Sequence, residues 1–238
     1  MGVALDGCMV NIRGEAWKEA KIGAVFDVIA SDPDADATCV NSSYVTHLGG
    51  PEGLSNQLAA EAQARHFSKA TNQAVIGDGA DWIWAIAEAD YPGAAQINDW
   101  YHTCQHVHAA ARLLFVDQSN EYHAWVDQQK TLLYAGLANI IATNILQRAS
   151  TTKPEYRQAL NTNAAYFSSR IERMQYQDFR NAGFPIGSGV IEGFAKTTKQ
   201  RFAAAGMRWS RTGITNLMPF VAAEASRSFN AYWDRRCP

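Results

Sequence analysis

Paired cysteines, long apolar runs and a strong net charge are all missing from this 238-residue sequence. Its four cysteines, Cys8, Cys39, Cys104 and Cys237, lie far apart with no paired spacing. That pattern favours reduced thiols in a cytosolic setting over a disulfide frame or a zinc knuckle. No apolar run approaches the roughly 18 residues that span a bilayer, and the stretch from Met1 to Gly7 lacks the basic start of a targeting segment. A soluble, unsecreted protein with no membrane partner is expected. A net charge of -2 argues, taken alone, against a dedicated polyanion binder. Internal repeats and low-complexity linkers are absent as well.

Hydrophobic residues make up 47% of the chain, enough for a sizeable core in one large domain or two small ones. The charge is unevenly spread. Fourteen acids against five bases fall in residues 1–110, and eight bases against three acids in residues 187–238. An acidic first half and a basic tail can place metal-binding carboxylates beside a phosphate-binding surface, or can simply be two solvated faces.

The most informative stretch runs from Val75 to His102. A short apolar run ends at Gly77-Asp78-Gly79, which puts the Asp78 carboxylate on a tight turn from strand to helix. A second apolar run, Gly93 to Ile97, ends at Asp99-Trp100-Tyr101-His102. Strands are also expected over Gly2–Ile12, Lys21–Ala30 and Cys39–Leu48. Asp6-Gly7 in the first of them is either a costly mid-strand carboxylate that a cation would relieve or a hairpin turn. Residues 31–36, Ser-Asp-Pro-Asp-Ala-Asp, resemble a calcium loop only at their first acids and suit a solvated hairpin loop better. Pro51-Glu52 opens a helix carrying Leu54, Leu58 and Ala62, expected to end near Lys69. A helix from Trp82 to Ala89 follows the strand at Asp78, with Asp81 suited to its N-cap. The resulting order, β-β-β-α-β-α-β-α, is that of an α/β protein with a ribonuclease H-like, mixed five-stranded sheet.

From Trp100 the pattern turns helical. Trp100, Cys104, Val107, Ala111 and Leu114 share one face, which leaves His102 and His106 together on another. Further helices are expected over 121–147 and from Pro154 to about Asn181, the second with Leu160, Ala164, Phe167, Ile171 and Met174 inward. After a breaker-rich loop, a helix starts near Gly189 with Glu192 in its first turn and stops at Gly206. Glu192 can be a dipole acid paired to Lys196, or a metal ligand with Lys196 and Lys199 near phosphate. Ser210 can cap a last helix with Ile214, Leu217, Met218, Val221 and Ala225 inward. Arg208, Trp209 and Arg211 interleave as nucleic-acid contacts do, although Trp209 suits a core anchor equally. Three parts follow: a first core segment at 1–99, an all-helical insertion at 100–183, and C-terminal helices at 184–238 that complete the core.

Asp-Gly in the first strand, Gly-Asp-Gly at the end of the fourth, the Asp-x-x-His pair Asp99 and His102, and Gly-Ser-Gly-Val-Ile-Glu ahead of Gly-Met-Arg-Trp-Ser together resemble insertion-sequence transposases of the Mutator-like DDE superfamily, nearest the Kra-type family. The resemblance implies a catalytic triad of Asp6, Asp78 and Glu192 that also binds the metal, and an Asp-x-x-His signature at Asp99 and His102. Family members carry an amino-terminal region that recognises element ends. Here only five residues precede Asp6, so the resemblance extends to the catalytic core alone.

The function implied is metal-dependent DNA cleavage and strand transfer. Three carboxylates from distant parts of a chain can hold two Mg²⁺ ions, with Mn²⁺ as a substitute, for an in-line phosphoryl transfer. Asp6 is assigned as the bridging ligand, with Asp78 and Glu192 each holding one ion. His102, Lys196, Lys199, Arg201, Arg208, Trp209 and Arg211 are the expected DNA contacts, and His102 can equally be structural. The implied partners are double-stranded DNA, as element ends and target, and a second copy in a homodimer. The implied setting is the bacterial cytoplasm, at the nucleoid when DNA is bound. Two rivals share the same residues: a ribonuclease H-like nuclease without strand transfer, and an inactive DNA-binding remnant.

Overall fold

The computed structural model describes residues 1–29 and 37–234. The acidic stretch at 31–36 and Cys237 lie outside the described residues. The chain divides into two units, Met1–Ala95 together with the chain from Ser188 onward, and Gln96–Gly187. Among the described residues no helix is long and apolar enough to cross a membrane.

The architecture is α/β, built on a five-stranded mixed sheet in the order β3-β2-β1-β4-β5. Strands β1 (Gly2–Ile12), β2 (Ala16–Ile29) and β3 (Thr38–Leu48) pair antiparallel. Strand β4 (Ala74–Gly77) lies parallel to β1, in register from Gly2↔Ala74 to Leu5↔Gly77, and β5 (Ala95–Asn98) follows it. The side-chain period of two divides β1 between two cores. Val3 and Leu5 face a cluster with Leu54, Leu58 and Ala62 of α1 (Pro51–Ala64) and Ile83, Trp84 and Ile86 of α2 (Asp81–Asp90). Cys8, Val10 and Ile12 face the other way, onto Phe202 of α8 (Gly189–Phe202) and Ile214 and Met218 of α9 (Arg211–Ala225).

The second unit is helical after the end of β5: α3 (Trp100–Leu114), α4 (Asn120–Tyr134), α5 (Ala138–Thr151), α6 (Pro154–Ser168) and α7 (Tyr176–Asn181). The last helix of the chain, α10, is Phe229–Asp234.

Several expectations need correcting. β2 begins at Ala16, not Lys21, because β1 and β2 form one long hairpin whose tip is Arg13-Gly14-Glu15, with Gly14 at φ 78°. Asp6-Gly7 is therefore mid-strand and is not a turn. The expected helix 121–147 is two helices, broken at Gly136, whose φ of 75° only glycine adopts easily. Likewise 154–181 is interrupted by a 3-10 turn, Ile171–Met174. A 3-10 turn also brings residues three apart onto one side, so the apolar spacing runs on through the break. The first helix ends at Ala64, where His66 turns left-handed at φ 58°, ahead of a separate 3-10 turn, Phe67–Lys69. Leu217, expected inward, is 43% exposed, and Ala222 takes its place in the core.

One buried charge sits on the α1/α2 side of the sheet. Lys21, only 6% exposed, pairs with Glu19 and lies 4.8 Å from the ring centre of Trp82 at the start of α2. A Cβ on Gly7, the cross-strand partner of Lys21, would collide with the Glu19 carboxylate. The bare backbone of Gly7 thus makes the space in which the pair forms. Glu19 is itself partly exposed, so Glu19→Gln, which leaves the buried ammonium without its counter-charge, should cost about 1–3 kcal/mol. Lys21→Met, which removes the charge and keeps the packing, should cost less than half of that; urea unfolding of the two variants compares them directly.

Candidate functional site

In the parallel pairing of β1 with β4, the last registered pair is Leu5↔Gly77. Asp6 and Asp78 are each the next residue, so the sheet brings the two residues to neighbouring positions at the carboxyl end of β4. Both are half-buried. Each is oriented by a neighbouring main-chain group: the Gly7 N–H donates to Asp6 Oδ1 at 2.7 Å, and the Ala80 N–H donates to Asp78 Oδ1 at 3.0 Å. Gly77 keeps the approach of α2 tight, since a Cβ there would stand 2.7 Å from Ile83 Cγ2.

Asp81 behaves differently from its expected role. The N-cap of α2 is Ala80, which makes no side-chain cap bond, and Asp81 is the first helical residue. The main-chain acceptor in this turn is Asp78, so Asp81 contributes through the helix dipole and not as a cap.

Glu192 lies in the first turn of α8, which packs along β1 on the side of Cys8 and Val10. The even residues of β1 share that side, Asp6 among them. The direction of α8 follows from its ends. The Tyr44 hydroxyl on β3 donates to Val190 O at 3.4 Å, and the Tyr44 ring stacks on Phe194 at 4.4 Å, whereas Phe202 packs with Ile12. Because Phe194 leans toward β3 and Glu192 lies two residues (about 200°) round the helix from it, Glu192 points to the opposite flank, that of β1 and β4. Lys196 and Lys199 share this flank. Lys199 is close enough to β1 for its charge to act on the Cys8 thiol. That thiol is pushed up to about 12 by burial and by the Asp6 carboxylate, with Lys199 opposing. Glu192 forms no ion pair with Lys196, so the helix-surface bridge is not what holds it. Among the described residues no group of three or more His, Cys, Asp or Glu side chains is drawn together as metal ligands, so the Glu192 carboxylate does not close on the two aspartates here.

The basic segment divides by role. Lys196, Lys199 and Arg208 are exposed. Arg201 stands 3.7 Å from Glu224 in an exposed pair. Arg211 makes a two-pronged bond to Glu15, at 2.9 and 2.5 Å, which holds the Glu15 carboxyl below its usual range. Trp209 is a fold anchor rather than an open stacking platform. Its Nε1 donates to Phe202 O at 2.9 Å, its ring meets Phe202 edge-on, and its backbone bonds Asn11 O and the Arg13 N–H.

In the helical unit, Asp99 caps α3: its Oδ1 accepts the His102 N–H at 2.5 Å. A cap bonding the main chain of the third helical residue accounts for Asp99 at this position. The His102 ring lies 5.4 Å from that of His106, which is stacked on Tyr166 at 3.7 Å and bonded to Asn163 at 3.2 Å. No third metal-binding side chain joins the two histidines among the described residues. No model of a known protein family matches the chain, and no curated protein sequence matches it.

Two outcomes test these placements. Asp78→Ala should destabilise the protein by about 1 kcal/mol through loss of the turn bond. Asp78→Asn, which keeps the acceptor, and Asp81→Ala should each cost less, and thermal melts of the three variants would rank them. His106 has its pKa lowered, first by burial and then by the charges of His102 and Arg170, with Asn163 opposing; His108 is lowered too, again chiefly by burial. A histidine with a depressed folded-state pKa contributes stability that is full above the ordinary value of about 6.5 and is lost as pH falls through the folded value. Melting temperature should therefore drop below about pH 6.5, and His106→Gln should flatten part of that drop.

Proposed function

We propose that this chain is the catalytic core of a DDE transposase with a ribonuclease H-like fold, cutting DNA and joining its ends by metal-dependent phosphoryl transfer. The observation that carries the reading is the shared register of Asp6 and Asp78 at the ends of adjacent parallel strands, with Glu192 on the flank of α8 that faces the same strands. Three antiparallel strands followed by a parallel fourth, with helices on both faces of the sheet, agree with that fold.

The donor set fits hard divalent cations. Two half-buried carboxylates, each already oriented by a backbone N–H, are oxygen ligands of the kind Mg²⁺ takes while keeping several waters. When bound, a pair of Mg²⁺ ions supplies activation of an attacking water or 3′-hydroxyl and neutralisation of the leaving oxygen. Asp6 and Asp78 would hold the ions, with Glu192 completing the set from α8. Lys196 and Lys199, on the same flank as Glu192, would meet the phosphates of double-stranded DNA, with Arg208 further along the basic segment. Arg211 and Trp209 would act through the fold, by fastening the β1–β2 hairpin to the segment before α9.

The test uses supercoiled plasmid as target and a labelled oligonucleotide with a free 3′-hydroxyl as donor, in Mg²⁺, Mn²⁺ or chelator. Covalently joined label is the expected product with either metal. Nicked plasmid without joining would make the chain a nuclease, and neither product would end the enzymatic reading. Asp6→Asn, Asp78→Asn and Glu192→Gln should each reduce joining to background while leaving DNA retention intact.

A further inference from the structure

The β1–β2 hairpin outruns the sheet that holds it. β4 leaves β1 after Leu5, and β3 leaves β2 at Ala20, so residues 9–19 continue as a two-stranded ribbon. Two large apolar side chains stand on one side of this ribbon: Trp17, 53% exposed, opposite Asn11, and Met9, 47% exposed, opposite Glu19. Single exposed apolar residues are ordinary. These two are diagonal neighbours on one face, where long side chains reach each other.

The ribbon is also held rigid. Trp209 N–H donates to Asn11 O at 3.0 Å, Arg13 N–H donates to Trp209 O at 2.8 Å, and Arg13 Nε reaches Arg208 O at 3.2 Å. The two-pronged Arg211–Glu15 pair closes the tip. The charges around the two apolar side chains do not cancel. Both acids of the ribbon are matched, Glu15 by Arg211 and Glu19 by Lys21. Among the described residues, Arg13 and Arg208 are exposed and make no ion pair.

We infer that this ribbon is a binding surface for unpaired DNA, with a base stacked on Trp17 beside Met9 and the flanking phosphates met by Arg13 and Arg208. Surplus positive charge around an exposed indole suits a polyanion whose bases offer flat faces. The same surplus opposes a second copy, which would bring the same two cations against them. The choice of DNA among polyanions rests on the proposed function.

The experiment measures fluorescence anisotropy of a fluorescein-labelled oligonucleotide, single-stranded or as a blunt duplex, with the whole chain. Trp17→Ala should weaken single-strand binding about tenfold, change duplex binding little, and leave the salt slope as it was, because stacking releases no counterions. Trp17→Phe should restore most of the affinity. Arg208→Gln should instead flatten the salt slope by about 0.7 for the single strand. Trp17 is more exposed than buried, so unchanged circular dichroism is expected in its variants. Equal single-strand affinity in wild type and Trp17→Ala overturns the inference, as does a wild type that binds no oligonucleotide. A Trp17→Ala variant that alters only the sedimentation of the free protein gives the face to a second copy and overturns it too. Trp17-dependent binding by a chain that cuts no plasmid would leave the surface standing and remove the proposed enzyme. Cutting and joining by a chain indifferent to Trp17 would do the reverse.

Discussion

Parallel pairing between β1 and β4 is the constraint on which the rest of the first unit depends. Two parallel neighbours end on the same edge of a sheet, and they can be reached from one another only by a crossover through other elements. Here β2, β3 and α1 make that crossover, and Leu5↔Gly77 closes the register. A one-residue slip would turn Val75 away from the α1/α2 core and carry Asp78 to the other side of the sheet from Asp6. The apolar packing of Val3, Leu5 and Val75 therefore holds the carboxylates in place as well as the core. The position of the two aspartates and the packing of the core share one register.

Much of this was legible from residue order because it depends on local period. Gly2–Ile12 is mostly apolar and includes Val3, Val10 and Ile12, so it reads as a strand; Ala74–Gly77 is a short apolar run stopped by glycine; Pro51 and Ser210 announce helices by their backbone chemistry. What could not be read off depends on partners distant in sequence. The buried Lys21 looks like any strand-edge lysine until Trp82 is placed over it. Trp17, Lys18 and Glu19 carry no apolar alternation because the ribbon they belong to is exposed, so β2 appears to start at Lys21.

Trp209 and Asp81 show the same limit from the other side. Interleaved Arg and Trp describe a nucleic-acid surface and a core anchor equally well by composition, and only the Phe202 carbonyl and the Asn11 strand edge decide for the anchor. At Asp81 the residue type suits a cap, yet the helix begins one residue earlier than that role requires, and Asp78 takes the main-chain bond. Of the Asp-x-x-His pair, the aspartate is explained within α3 itself by the cap at Asp99.

The order of the chain also sets a schedule for its synthesis. Among the described residues, the side of β1 that bears Cys8, Val10 and Ile12 is covered by α8 and α9, which follow the whole of the second unit. At roughly 5–20 residues per second, on the order of ten seconds or more separate the emergence of β1 from that of its cover. During that interval the ribosome presents a nascent sheet with one apolar side bare, a natural substrate for a chaperone that holds hydrophobic strands. A ribosome stalled before Ser188 would release a chain that keeps the aspartates in register and cannot bury Val10.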